Sequence, residues 1–160
     1  MQMHPVLCWR MSDAELSKNE AKAWTRLVRA HRLIIDTLER DLKNAGLPVL
    51  AWHDILRELA AAPERRLRPA AMEAAMGLAQ YHLSRLIDKL AGEGLVIREK
   101  LADDGRGQWV VLTEAGAALD ARMAAQAGTT LQTHFAARLE GDSARKLAKL
   151  LGRLLPGHQK

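Results

Sequence analysis

The stretch PAAMEAAMGLAQYHLSRLIDKLAGEG, residues 69–94, decides the fold. It holds two helix-forming runs with a glycine between them. Pro69 suits the first turn of the first run, where its missing N–H would have no helical partner anyway. Gly77 separates that run, Pro69 to Met76, from the next. In the second run Leu83, Leu86, Ile87 and Leu90 recur at helical spacing and form one apolar face, while Tyr81, Arg85 and Asp88 point away from it. A short helix, a tight turn and a second helix with an apolar inner face form a helix-turn-helix unit, whose second helix can lie in the major groove of DNA. Helix pairs of this kind also arise from plain packing, so the flanking sequence must decide.

Downstream, LVIREKL and QWVVLT flank ADDGRG, the pattern of two short strands joined by a turn. Gly105 and Gly107 ease the backbone at that turn. A hairpin directly after the helix pair makes the winged version of the unit. Thr113 and Glu114 then open an alanine-rich helix carrying Leu119, Met123, Leu131 and Phe135. EGDS breaks it, and Asp142 or Ser143 caps a last helix with the stripe Leu147, Leu150, Leu151, Leu154 and Leu155.

Upstream, Ser12 or Asp13 can cap a long first helix with the stripe Trp24, Leu27, Val28, His31, Ile34, Ile35, Leu38 and Leu42. Arg26, Arg29, Arg32, Arg40 and Lys43 fall mostly off that stripe, and Gly46 with Pro48 ends the helix. A second helix fits Ala51 to Ala61, with Trp52, Ile55, Leu56 and Leu59 inward, before Pro63 and the basic stretch ERRLR interrupt. The expected fold is mainly α with a small β-hairpin. Residues 1–12 form a loose N-terminal segment, residues 47–113 a winged helix-turn-helix lobe, and residues 13–46 with 114–156 a helical region outside that lobe.

Composition narrows the function classes. The formal charge of +5 over 160 residues favours a polyanionic partner. No apolar run reaches the roughly 18 to 20 residues that a membrane helix needs, and the first residues lack the pattern of a signal peptide, so a cytoplasmic protein is expected. The single cysteine, Cys8, has no intramolecular partner for a disulfide. The six histidines, His4, His31, His53, His82, His134 and His158, are dispersed without metal-ligand spacing, so no metal is expected. Walker-type glycine-lysine loops, a nucleophile elbow and a dinucleotide fingerprint are all missing from the sequence. An enzyme and a bound cofactor are therefore not expected.

RLRPAAMEAAMGLAQYHLSRLIDKLAGEGLVIRE, followed by DGR and VVLTEAG, resembles the MarR family of winged-helix transcription regulators. The likeness extends to AWTRLVRAH and LERDL in the first helix and covers most of residues 13 to 155. It implies a homodimer in which the first and last helices of two chains entwine and hold two lobes on successive major grooves of a pseudo-palindromic operator. The two helical flanks then become dimerisation helices, with Leu147, Leu150, Leu151 and Leu154 in the interface; a monomer's own core is the other reading of those leucines. Regulation, with repression as the expected sense, would respond to a small ligand.

Within the recognition helix, Gln80 can bond bidentately to adenine, Ser84 can meet a base or phosphate, and Arg85 can pair with guanine or phosphate. Tyr81, the only tyrosine, can contact a thymine methyl or a phosphate, and His82 sits toward the helix flank. Asp104 and Arg106 match the aspartate-x-arginine of the family wing, in which the arginine reaches the minor groove and the aspartate orients it. The chain departs from the family at Ala79 and Ala70, where capping hydroxyls are usual.

The family also implies a ligand cavity beside the first helices. Trp24, His31 and Trp52 are the candidate lining, suited to a small aromatic acid or phenol. His31 interrupts an apolar stripe, so it would need a polar partner if buried, and a backbone carbonyl or carboxylate could equally supply one. Two other readings stand beside the regulator: a winged-helix adaptor that binds protein, and a regulator sensing oxidation through Cys8, against which stands the lack of any tyrosine but Tyr81.

Overall fold

A computed structural model describes residues 16–100 and 107–155. The chain is mostly helical with a small antiparallel sheet. In order, α1 spans Lys18–Asn44, α2 Leu50–Ala61, β1 Arg66–Leu67, α3 Pro69–Met76, α4 Gln80–Gly92, β2 Val96–Lys100, β3 Gln108–Leu112, α5 Glu114–His134 and α6 Ser143–Gly152. Among the described residues no helix is long and apolar enough to cross a membrane.

The start of α1 lies later than the Ser12 or Asp13 cap that the sequence suggested. Ser17 and Glu20 close a reciprocal capping box: Ser17 Oγ accepts from the Glu20 N–H at 3.3 Å, and the Glu20 carboxylate accepts from the Ser17 N–H at 2.7 Å. At its other end α1 helps α2 begin. Val49, the capping residue of α2, has no side-chain acceptor to offer, and Glu39 of α1 instead accepts from the Leu50 N–H at 3.0 Å.

The main core gathers α2, α3, α4 and the inner face of the sheet. Ile55, Leu56, Leu59, Met72, Leu83, Ile87, Leu90, Val96 and Val110 are all essentially inaccessible to solvent. The apolar faces read from α2 and α4 are therefore the faces that pack. Strand order is β1-β3-β2, antiparallel throughout, with Arg66 opposite Val111 and Glu99 opposite Trp109. The hairpin agrees with the sequence reading. Strand β1 does not appear in that reading, because two residues cannot display an alternation; pairing with β3 is what makes Arg66 and Leu67 a strand. The turn before it holds Glu64 and Arg65 in left-handed backbone, φ 54° and 52°.

Helices α1 and α5 pack along their second halves. Thr37, Leu38 and Leu42 of α1 and Met123, Ala127 and Thr130 of α5 are buried, and Thr130 Oγ1 donates to Asp41 Oδ2 at 2.8 Å. The first half of α1 finds no such cover. Trp24 there is 63 % exposed, and Leu33, just past mid-helix, 69 %. On α6 no residue is buried and Leu150 lies open, as do Leu154 and Leu155 just after it. Asp142 occupies the capping position of α6 without a side-chain bond to its N–H groups, its carboxylate turning to Arg145 Nε at 2.6 Å.

Between α2 and α5 a polar pair is enclosed. His53 Nε2 lies 3.5 Å from Asp120 Oδ1, the side chains only 9 % and 15 % exposed, and among the described residues neither atom has a hydrogen-bond partner. Next to it, partial burial raises the Asp54 carboxyl above its ordinary range, with Glu39 and Glu58 adding to the rise and His53 opposing it. His53→Ala or Asp120→Ala alone strands the remaining polar group, so each should lower stability by about 1–3 kcal/mol. Replacing both with leucine should recover most of that loss. Urea denaturation of the two single variants and the double variant checks this; additive losses would contradict it.

Candidate nucleic-acid interface

Helix α4 divides cleanly into two faces. Leu83, Ile87 and Leu90 are buried in the core, while Gln80, Tyr81, His82, Ser84 and Arg85 are all exposed. The four DNA-contact candidates of the recognition helix thus share one solvent-facing edge near its start. Tyr81 and Arg85, one turn apart, touch each other: Arg85 Nη1 donates to the tyrosine hydroxyl at 3.2 Å, and its guanidinium lies 5.6 Å from the ring centroid. His82 meets the Tyr81 ring edge-on at 5.8 Å. These contacts present a guanidinium and a phenol as a single outward unit.

The first turn of α4 lacks a side-chain cap, as its alanine suggested. Ala79 offers only its carbonyl, which accepts from the N–H groups of His82 and Leu83 at 2.9 and 3.1 Å. For α3 the capping residue is Arg68 rather than Ala70, since Pro69 already occupies the first helical position; it too makes no side-chain cap. Gly77 closes α3 in left-handed backbone, φ 62°, with its N–H on the Glu73 carbonyl at 2.9 Å.

The wing is tied to both its neighbours. Arg98 of β2 reaches Asp88 of α4 at 2.5 Å, fixing the hairpin against the helix. At the end of β3, Thr113 makes three connections. Its N–H donates to the Leu95 carbonyl at 3.1 Å, its hydroxyl lies within donating distance of the Gly94 and Leu95 carbonyls, and the same oxygen accepts from the Gly116 N–H at 3.0 Å as the cap of α5. One side chain therefore joins the start of β2, the end of β3 and the start of α5. Asp104 and Arg106, the wing-tip candidates, lie outside the described residues, as does Cys8.

The three residues suggested for a ligand pocket are differently placed. Trp52 packs against the core of α2, α3 and α4, whereas Trp24 and His31 stand exposed on α1. His31 is thus no buried polar group needing an internal partner, a role His53 takes instead. Three surface cavities of about 450, 470 and 260 Å³ are lined by other residues. A basic feature beside the wing is not legible in the sequence: Arg66 and Arg68 both stack on Trp109, at 4.9 and 5.2 Å from the ring centroid. The ERRLR run was legible as basic, but only the pairing of β1 with β3 brings it beside that tryptophan. Among the described residues, no group of three or more His, Cys, Asp or Glu side chains is placed to hold a metal.

Comparison with known proteins matches this geometry. A model of the MarR family matches residues 45–107. No curated protein sequence matches. Among solved structures, AbsC, a MarR family transcriptional regulator from Streptomyces coelicolor, is 28 % identical over 88 % of this chain and 95 % of its own, with a TM-score of 0.80. Sco3205, a MarR family transcriptional regulator from the same organism solved in complex with DNA, is 26 % identical over 92 % of both chains, with a TM-score of 0.83. BpsR from Bordetella bronchiseptica, whose DNA binding is regulated by 6-hydroxynicotinic acid, shares the fold at 20 % identity, covering 83 % of this chain and 98 % of its own, with a TM-score of 0.73. With a family match across the helix-turn-helix and likenesses spanning nearly the whole chain, this protein is similar to the winged-helix transcription regulators of the MarR family.

Proposed function

We propose that the chain acts as a homodimeric, ligand-responsive repressor, each protomer inserting α4 into one major groove of a pseudo-palindromic operator and its wing tip into the adjoining minor groove. The observation that carries this reading is the exposed edge Gln80, Tyr81, Ser84 and Arg85 on a helix whose opposite face buries Leu83, Ile87 and Leu90. Such an edge offers a bidentate partner for adenine, one for guanine, and hydroxyls for phosphates. Asp104 and Arg106 supply the wing contact, and residues 47–113 form the DNA-binding lobe. Gel-shift titration of the purified chain against the promoter upstream of its own gene tests this. A salt-sensitive, sequence-selective shift is expected; its absence favours a protein-binding adaptor.

Dimerisation is supported by the uncovered apolar residues of α1, of α6 and of the segment after it, including Trp24, Leu33, Leu150 and Leu154, with Leu147 and Leu151 partly covered beside them. Two lobes so held must present their recognition helices about 34 Å apart, one turn of DNA. A ligand that binds one lobe spacing better than another shifts the population toward it. The aromatic acid that regulates BpsR suggests the effector class here. Trp24 and His31 would offer it an indole face and a hydrogen-bonding imidazole where α1 meets the partner chain, with Trp52 at the edge of the lobe.

The two arginines have different tasks in this arrangement. Arg85→Ala should weaken operator binding more than binding to random duplex, since a base contact carries sequence information. Arg106→Ala should weaken both and lower the slope of log affinity against log salt by about one. Fluorescence anisotropy at several salt concentrations separates the two; equal losses on operator and random DNA for Arg85→Ala would contradict the assignment.

A further inference from the structure

We infer that the groove at the root of the wing is a second DNA contact: Arg68, assisted by Arg66 and held on Trp109, clamps the phosphodiester backbone beside the bases that α4 reads. This rests on the DNA-binding reading above and adds residues to it.

Strand geometry builds the site. Val110 and Leu112 turn into the core, so Trp109 and Val111 lie on the opposite face of β3. Arg66, opposite Val111 in the register, shares that face, and Arg68 follows two residues on. Both guanidinium groups come to rest over the indole, 4.9 and 5.2 Å from its centroid. The groove beside them, about 450 Å³, is lined by Pro63, Glu64, Arg66, Arg68, Ala71 and Trp109. A guanidinium stacked on an aromatic face keeps its in-plane N–H donors pointing outward, and fewer rotamers remain to be lost when an oxyanion arrives.

The two arginines are not equivalent. Arg66 is already paired with the Glu64 carboxylate. Arg68 is exposed and has no carboxylate within ion-pair distance among the described residues, so it holds the uncompensated charge. Its place in the fold fits a phosphate. Arg68 immediately precedes α3, the first helix of the helix-turn-helix, which in this motif crosses the DNA backbone. Trp109 stands next to the wing tip on β3. The groove thus bridges the two elements that flank α4 on the DNA, and the chain's surplus of positive charge matches the partner.

The test uses the full chain and fluorescence anisotropy over a range of salt, on operator and on random duplex. Arg68→Ala is expected to lower the log–log salt slope by about 0.9 on both duplexes, with the melting temperature unchanged; Arg68→Gln serves as a second variant if alanine perturbs folding. Arg66→Ala should lower the slope less, and Glu64→Gln should tighten binding by releasing Arg66. On a duplex trimmed back to the bases read by α4, parent and Arg68→Ala should bind alike. A parent that binds operator while Arg68→Ala keeps the parental slope overturns the clamp and leaves the regulator standing. A parent that binds no DNA overturns both. A loss confined to operator overturns the clamp by making Arg68 a base reader. Stabilisation of the parent, but not of Arg68→Ala, by inorganic phosphate or benzoate without any change in salt slope also overturns it, assigning the groove to small anions.

Discussion

Gly116→Ala is expected to lower the melting temperature by several degrees and to abolish operator binding. A Cβ at this position would lie 2.1 Å from the Leu95 carbonyl oxygen and 2.7 Å from a Leu112 methyl. The leucine could turn aside, but the carbonyl is backbone and already accepts from the Thr113 N–H at 3.1 Å. Relief therefore requires moving the start of α5 away from the base of the wing. Forced overpacking of this kind costs about 1–3 kcal/mol, and each kcal/mol shifts the melting temperature of a chain this size by roughly 2–4 °C. The effect on DNA binding should exceed the effect on stability, because the displaced joint carries the wing with it. Calorimetry together with a gel shift would check both; a variant with parental operator affinity would show that the joint tolerates the shift.

Leu150→Glu combined with Leu154→Glu is expected to yield a monomer with a folded lobe. Both leucines, one on α6 and one just after it, are open in the single chain, 57 % and 69 % exposed, so the substitutions remove no packing of the chain's own core. Two carboxylates placed there would face an apolar partner surface and resist its approach. A monomer engages one half-site at a time, and the loss of the linked second contact should reduce operator affinity by about 10²–10⁴-fold. Sedimentation velocity reads the first consequence and anisotropy the second, with random DNA much less affected. Retention of the dimer would place α6 outside the seam.

Local periodicity made the lobe legible. In α4 the spacing of Leu83, Ile87 and Leu90 names the buried face and, by exclusion, the exposed edge of Gln80, Tyr81, Ser84 and Arg85. The same method could not tell which body covers an apolar stripe. The stripe of α1 runs from Trp24 to Leu42 with His31 within it, yet of its residues only Leu38 and Leu42 are buried in the single chain. A histidine on a stripe was equally ambiguous. His31 lies exposed, while His53, unremarkable in its sequence setting, is enclosed because α5 delivers Asp120 to it from far along the chain. The stack of Arg66 and Arg68 on Trp109 was out of reach for the same reason: it depends on a strand pairing between distant segments. What the sequence hid was therefore long-range pairing, not the existence of the elements.

The bare first turn of α4 has a consequence for how the proposed regulator would search DNA. With Ala79 at the capping position, no side-chain acceptor meets the leading N–H groups of Gln80 and Tyr81. The end of the helix that carries the side chains proposed to read bases thereby has no side-chain cap of its own. Fraying there is expected on random duplex, keeping sliding contacts loose, whereas a matched operator supplies oxygen acceptors that finish the turn. Recognition would then be partly an act of completing the helix, with amide exchange at its leading residues slowing only once the right site is found.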